Sequence, residues 1–144
     1  MRIYLDNCCF NRPFDDQREI RVRIEAEAKL FVQDLIRVGS LELVWSYILD
    51  FENAVNPFEE RRTTIGAWRQ LATHDIGETL EIVQQAGFFA ELGLRSKDAL
   101  HLACALAGGC KYFLTTDDGI LKRGKNALGI VVVDPATFVR EWNP

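Results

Sequence analysis

The chain has no apolar run approaching the ~20 residues that a membrane-spanning helix needs. Its opening, MRIYLDN, lacks the hydrophobic stretch of a signal peptide, so a cytoplasmic protein is expected. Cysteine is sparse: the four residues fall at positions 8, 9, 104 and 110, and no spacing among them matches a zinc site. Adjacent Cys8 and Cys9 cannot readily bridge each other, so the set reads as small buried thiols in a reducing compartment. Positive charge is not in excess either. A net charge of −4 argues against coating nucleic acid by bulk electrostatics, although it leaves room for local basic patches. No repeat, low-complexity tract or linker interrupts the sequence, so residues 1–144 are expected to form one domain. With 48% hydrophobic and 26% charged residues there is material for an independent core.

What is there reads as strands separated by helices. Ile3, Tyr4 and Leu5 end a short buried strand. A polar loop over 11–16 follows, in which Asp15 or Asp16 is expected to cap a helix. Ile20, Ile24, Phe31, Leu35 and Val38 then recur at helical spacing up to Gly39. Residues 41–45 form a second strand, and Ser46 caps a helix running to about Val55. Two helical stretches, about 58–72 and 79–92, flank THDIG, which reads as a loop. Ser96 is expected to cap an apolar helix that ends at Gly108-Gly109. Strands at 111–115 and 130–133 and a short helix from Pro135 complete the chain. Nearly continuous apolar strands between helices suit a parallel sheet covered on both faces, hence an α/β fold with its site at the strand ends.

Four acids fall where such a fold gathers ligands. Asp6 ends the first strand and Asp117 the third. Glu52 lies on the helix capped by Ser46, and Asp98 in the first turn of the helix at Ser96. Singly, Asp98 could serve only the helix dipole, and Asp117 with Asp118 only a turn before Gly119. Together, four carboxylates in one crevice would repel one another, by on the order of 4 kcal/mol for a pair at 4 Å and an effective dielectric of 20. Such a cluster persists by taking up protons or binding cations. All-oxygen donors select Mg²⁺ or Mn²⁺, and the chemistry this implies is metal-assisted phosphodiester hydrolysis. Asp50 and Glu52 sit two apart on one helix, so only one of them faces the crevice; the spacing from Ser46 favours Glu52 without excluding Asp50.

In order, YLDNCCF, SYILDFE, KDALHLACA and FLTTDD resemble the four acidic motifs of the PIN-domain family, over nearly the whole chain from Arg2 to about Trp142. The resemblance implies a three-layer α/β/α sandwich around a parallel sheet. It implies a Mg²⁺- or Mn²⁺-dependent ribonuclease, most often the toxin of a bacterial toxin–antitoxin pair, with RNA as substrate, an antitoxin partner and a homodimer. On it, Asp6, Glu52, Asp98 and Asp117 are the metal-binding quartet. Thr115 or Thr116 orients metal-bound water through a hydroxyl, and Asp118 is a candidate outer acid. The continuation NCCFNRPF is less familiar and marks a candidate subgroup.

Lys122, Arg123 and Lys125 follow the fourth acid and are the expected phosphate contacts. Arg12, just past the first, could meet a phosphate or form a surface ion pair. His101, three residues after Asp98, reads as a core histidine supporting the site rather than a ligand, and His74 as a loop residue. Trp45, Trp68 and Trp142 read as core or interface. Trp68, Phe88 and Phe89 are candidate exposed apolar side chains for a dimer or antitoxin contact. Among rivals, a haloacid-dehalogenase-like phosphatase needs a second Asp where Cys8 stands. The serious alternative is a catalytically inactive PIN-like module that binds RNA or protein.

Overall fold

The computed structural model describes residues 1–142. Five strands, β1 (Arg2–Leu5), β2 (Glu42–Ser46), β3 (His74–Ile76), β4 (Tyr112–Leu114) and β5 (Val131–Val133), form one sheet in the order β3-β2-β1-β4-β5. Every pairing is parallel; Ile3 on β1 stands opposite Leu43 on one side and Tyr112 on the other. The eight helices are α1 (Asn7–Asn11), α2 (Ile20–Arg37), α3 (Tyr47–Ala54), α4 (Glu59–Ala67), α5 (Leu80–Ala90), α6 (Ser96–Ala107), α7 (Asp118–Gly124) and α8 (Pro135–Glu141). They make a three-layer α/β/α arrangement, in which α2 packs on α8 and α5 on α6. No helix among the described residues is long and apolar enough to cross a membrane.

The centre of the sheet is dry. Ile3, Tyr4, Leu5, Leu43, Val44, Trp45, Phe113 and Leu114 are fully buried, as expected for parallel strands covered on both faces. Strand order reverses between β1 and β4, so the carboxyl ends of these two strands flank the switch point where open α/β sheets bind ligands.

Several expectations need correction. THDIG contributes β3, an edge strand paired only with β2. The expected loop over 11–16 begins at the end of a short helix, Asn7–Asn11, and includes a 3-10 turn at Arg12–Phe14. Neither Asp15 nor Asp16 caps α2; Glu19 takes that position without a side-chain bond, and Asp16 accepts from the Arg18 N–H instead. Ser96 is the first residue of α6, not its cap. Trp68 and Phe89 are buried, which removes both from any docking surface, whereas Phe88 is exposed. Trp45 lies in the core and Trp142 packs partly buried against it.

Helix α2 is turned against its own pattern. Of the expected stripe, Leu35 packs partly buried against the core, but Ile20, Ile24, Phe31 and Val38 are exposed, while Glu25, Lys29 and Gln33 are buried beside Val22, Ala26, Val32 and Ile36. Glu25 is met by Arg12 and Arg21 at 3.1 and 3.4 Å. Lys29 lies over the rings of Phe10 and Trp68. No ion pair among the described residues involves it.

At the far end of α6, Gly108 lets the helix close on β2: a Cβ there would stand 2.7 Å from a methyl of buried Val44. Gly108→Ala is therefore expected to cost about 1–3 kcal/mol as an overpacked contact. A denaturant melt matching the wild type would show that α6 can shift away without loss.

Candidate active site

Asp6 and Asp117 reach the carboxyl edge of the sheet because each caps the helix that follows its strand. Asp6 Oδ1 accepts the Asn7 N–H at 2.8 Å, and Asp117 Oδ1 accepts that of Ile120 at 3.0 Å. Thr115 ties the two together: its hydroxyl donates to Asp6 Oδ2 at 2.8 Å and its oxygen accepts the Asp117 N–H at 3.1 Å. The Cys8 thiol also reaches Asp6 Oδ2, at 3.4 Å. Asp6 and Thr115 are buried, and Asp117 is exposed.

Glu52 comes from α3 and meets His101 of α6, whose Nε2 bonds to Glu52 Oε1 and lies 3.9 Å from Asp6 Oδ1. Behind His101 stands a buried chain. Its Nδ1 pairs with the Tyr4 hydroxyl at 2.6 Å, and that hydroxyl pairs with Ser46 Oγ at 2.6 Å. Ser46 Oγ in turn accepts the Leu49 N–H and so fixes the first turn of α3. Asp50 is held elsewhere, accepting the Trp45 Nε1–H at 2.8 Å and facing Arg69 at 3.5 Å. Of the two acids on α3, the structure brings Glu52 to the crevice.

Asp98 completes the group electrostatically. Burial, together with the charges of Asp6, Asp117 and Glu52, pushes its carboxyl up to about 6, against a partial offset from His101. Burial acts to raise the Glu52 pKa, yet the bond from His101 with the nearby Lys97 and Asn7 leaves it lowered. For His101, burial disfavours the imidazolium, but Glu52, Asp6 and Asp98 outweigh that and raise its pKa. The four acids thus share one electrostatic environment, with His101 bonded to Glu52 and 3.9 Å from Asp6.

The other expected residues divide. Arg123 lines a small recess of about 70 Å³ with Arg95, Asp98 and Asp117, beside the acids. Lys122 and Lys125 are exposed. Arg12 pairs with Asp15 and Glu25, at 3.2 and 3.1 Å. Asp118 pairs with Arg21 at 2.8 Å, and the Thr116 carbonyl accepts from the same guanidinium. Thr116 donates its N–H to Cys8 Sγ, so Thr115 is the hydroxyl that faces Asp6. Sequence reasoning missed the Tyr4–His101 pairing, although Asp98 and His101 share a face of α6.

Among the described residues, no three His, Cys, Asp or Glu side chains stand close enough together to hold a metal ion as they are. The donor chemistry still suits a hard cation, because the crevice gathers carboxylate oxygens whose mutual repulsion is already felt at Asp98. A larger groove of about 460 Å³, lined by Ile76, Ile82, Gln85 and Ala103, contains none of the four acids.

No protein-family model matches the chain, and no curated protein matches it significantly. Among solved structures, a chain from the crystal structure of VapBC2 from Rickettsia felis, bound to a DNA fragment from their promoter, superposes with a TM-score of 0.57. The two share 12% identity over 92% of this chain and 97% of the other. At that identity the likeness is one of fold. The fold is PIN-like.

Proposed function

We propose that the chain is a divalent-metal-dependent endoribonuclease that hydrolyses RNA phosphodiester bonds, acting as the toxin of a type II toxin–antitoxin pair. The observation that carries this reading is the gathering of acids at one sheet edge, where Thr115 ties Asp6 to Asp117 and His101 bonds to Glu52 while lying 3.9 Å from Asp6; the Asp98 carboxyl, raised by burial and by those three charges, agrees with it. The PIN-like fold and its likeness to a VapBC2 chain support it. Asp6, Glu52, Asp98 and Asp117 would hold Mg²⁺ or Mn²⁺, which when bound supplies an activated water and stabilises charge on the leaving oxygen.

The chain's own part is positional. Thr115 fixes the Asp6 carboxylate, while His101 fixes that of Glu52. Arg123 and Arg95, which line the recess with Asp98 and Asp117, would meet the substrate's phosphates. An antitoxin covering the crevice and a second copy of the chain are the protein partners this reading expects. The bond between His101 and Glu52 favours a second reading, a PIN-like binding module whose acids are neutralised internally without metal.

Titrating Mn²⁺ and Mg²⁺ against thermal stability separates the two. Metal at a hundredfold excess over its Kd should add about 2.7 kcal/mol, and EDTA should remove the gain together with RNA cleavage. A melting temperature indifferent to millimolar metal, with no cleavage, would leave the binding module as the better reading.

A further inference from the structure

Glu52 forms one end of a second cavity. A groove of about 330 Å³ opens beside it, lined by Asn7, Asn11, Asn56, Phe58, Arg61 and Lys97. Its volume is at the lower end of small-ligand pockets, with room for a single nucleotide unit and none for a duplex. Most of its lining comes from the unusual NCCFN segment, whose Asn7 N–H is capped by Asp6, and from the Asn56-Pro57-Phe58 turn, which hydrogen-bonds to none of the four acids.

The three asparagines form one oriented chain. Asn56 Oδ1 accepts the Phe58 N–H at 3.1 Å, so its Nδ2 is the atom that donates to Asn11 Oδ1 at 3.2 Å. Asn11 Nδ2 then donates to the Asn7 carbonyl at 3.0 Å and, more weakly, to Asn7 Oδ1 at 3.4 Å. Asn7 and Glu52 both line the groove, so the chain ends beside the acids. Amide orientation is ordinarily ambiguous, but here the Phe58 peptide N–H at one end and the Asn7 main-chain carbonyl at the other fix it for Asn56 and Asn11. The arrangement leaves a second Nδ2 hydrogen on Asn56 and spare lone pairs on the Asn7 and Asn11 oxygens. These are donors and acceptors of the kind that read the edge of a base.

Phe58 is 55% exposed, with the Arg61 guanidinium 4.5 Å from its ring centre. Arg61 is itself anchored by the Phe14 carbonyl at 2.7 Å and by Asp15 at 3.3 Å. Across the groove, Lys97 lies over the exposed ring of Phe51 at 5.0 Å. An exposed aromatic face, fixed amides and two cations are what single-stranded nucleic acid requires of its binding surface.

Taking the four acids as the site of RNA cleavage, we propose that this groove is a subsite for one unpaired nucleobase next to the scissile phosphate. The base stacks on Phe58, the Asn7 and Asn11 amides read its edge, and Lys97 meets the adjoining phosphate. Base preference at the cut then arises in the NCCFN helix and the Phe58 turn, not among the acids.

The test has two arms on the full chain. In EDTA, binding of short labelled single-stranded homopolymeric RNAs is measured by anisotropy. In Mn²⁺, the cut-site preference is mapped on a mixed-sequence RNA. Phe58→Ala should weaken binding about 10- to 100-fold by loss of stacking, Phe58→Tyr should restore it, and Asn11→Ala should flatten the preference among bases. Wild-type cleavage with unchanged binding and cut sites in Phe58→Ala would overturn the subsite while leaving the nuclease reading intact. Phe58-dependent RNA binding without any Mn²⁺-stimulated cleavage would do the reverse. A Phe58→Ala protein that binds RNA normally but changes its sedimentation would assign the groove to a protein contact and overturn the proposal.

Discussion

Replacing Asp98 with asparagine is expected to make the metal-free chain more stable at neutral pH and to lower metal-dependent RNA cleavage at least 100-fold. Both effects follow from one carboxylate held against its neighbours. The Asp98 pKa is raised to about 6 by burial and by Asp6, Asp117 and Glu52, above the ordinary 3.8 that it regains on unfolding. Between those two values the folded chain binds a proton that the unfolded chain does not, so acidification through this window stabilises the fold. Above about pH 6 the full penalty of the ionised carboxylate is present, and the Asp98→Asn substitution removes it. Because the side chain is partly exposed, solvent screening reduces the gain to on the order of 1 kcal/mol. In urea, the variant should exceed the wild type at about pH 7.5, and the two should converge near pH 4. On the proposed nuclease reading, losing one anionic donor would remove several kcal/mol of metal-borne stabilisation from the transition state, and each 1.36 kcal/mol is about tenfold in rate. A variant that cleaves RNA like the wild type would remove Asp98 from the site.

Lys29→Met should raise stability by about 2–4 kcal/mol at pH 6, a larger gain than the asparagine at position 98 brings. Lys29 is 3% exposed, and burial, with a further contribution from Arg37 against a partial offset by Cys9, lowers its pKa from 10.5 to about 7. Below about pH 7 both states carry the charge, and the folded state bears the whole desolvation cost. Between about 7 and 10.5 only the unfolded chain holds the proton, so wild-type stability climbs with pH. The advantage of methionine, which is similar in length and leaves no polar atom in the core, should therefore shrink steadily towards pH 10. A gap that stays constant from pH 6 to 10, or a variant less stable than the wild type, would show that the Lys29 ammonium contributes favourably over the Phe10 and Trp68 rings.

These two residues also mark where the sequence was legible and where it was not. Asp98 could be found because its place depends only on the start of α6 and on strand-end geometry, which hydrophobic runs reveal. The same holds for Asp6, directly after β1, and for Asp117, which follows β4 after the two threonines and caps α7. Lys29 could not, because the apolar periodicity of α2 points at Ile20, Ile24, Phe31 and Val38, which the structure turns outward. The buried face is chosen instead by partners from distant parts of the chain: Arg12 for Glu25, and the Phe10 and Trp68 rings for Lys29. The choice between Asp50 and Glu52 was open for a similar reason, since it depends on Trp45 Nε1 capturing one acid and His101 the other. Strand β3 was hidden because an edge strand of three residues needs no apolar run. Helix α1 was hidden because five residues are too few for a period to emerge.

The short edges of the sheet bear on how the chain assembles. Both outer strands, His74–Ile76 and Val131–Val133, offer only three residues of unpaired backbone, about 10 Å of ladder at ~3.3 Å per residue. That is too little to template an incoming strand, so the sheet is protected from growing into fibrils through its rims. Recognition of other chains is thereby left to side chains on helices and turns, where single substitutions can retune specificity without disturbing the ladder.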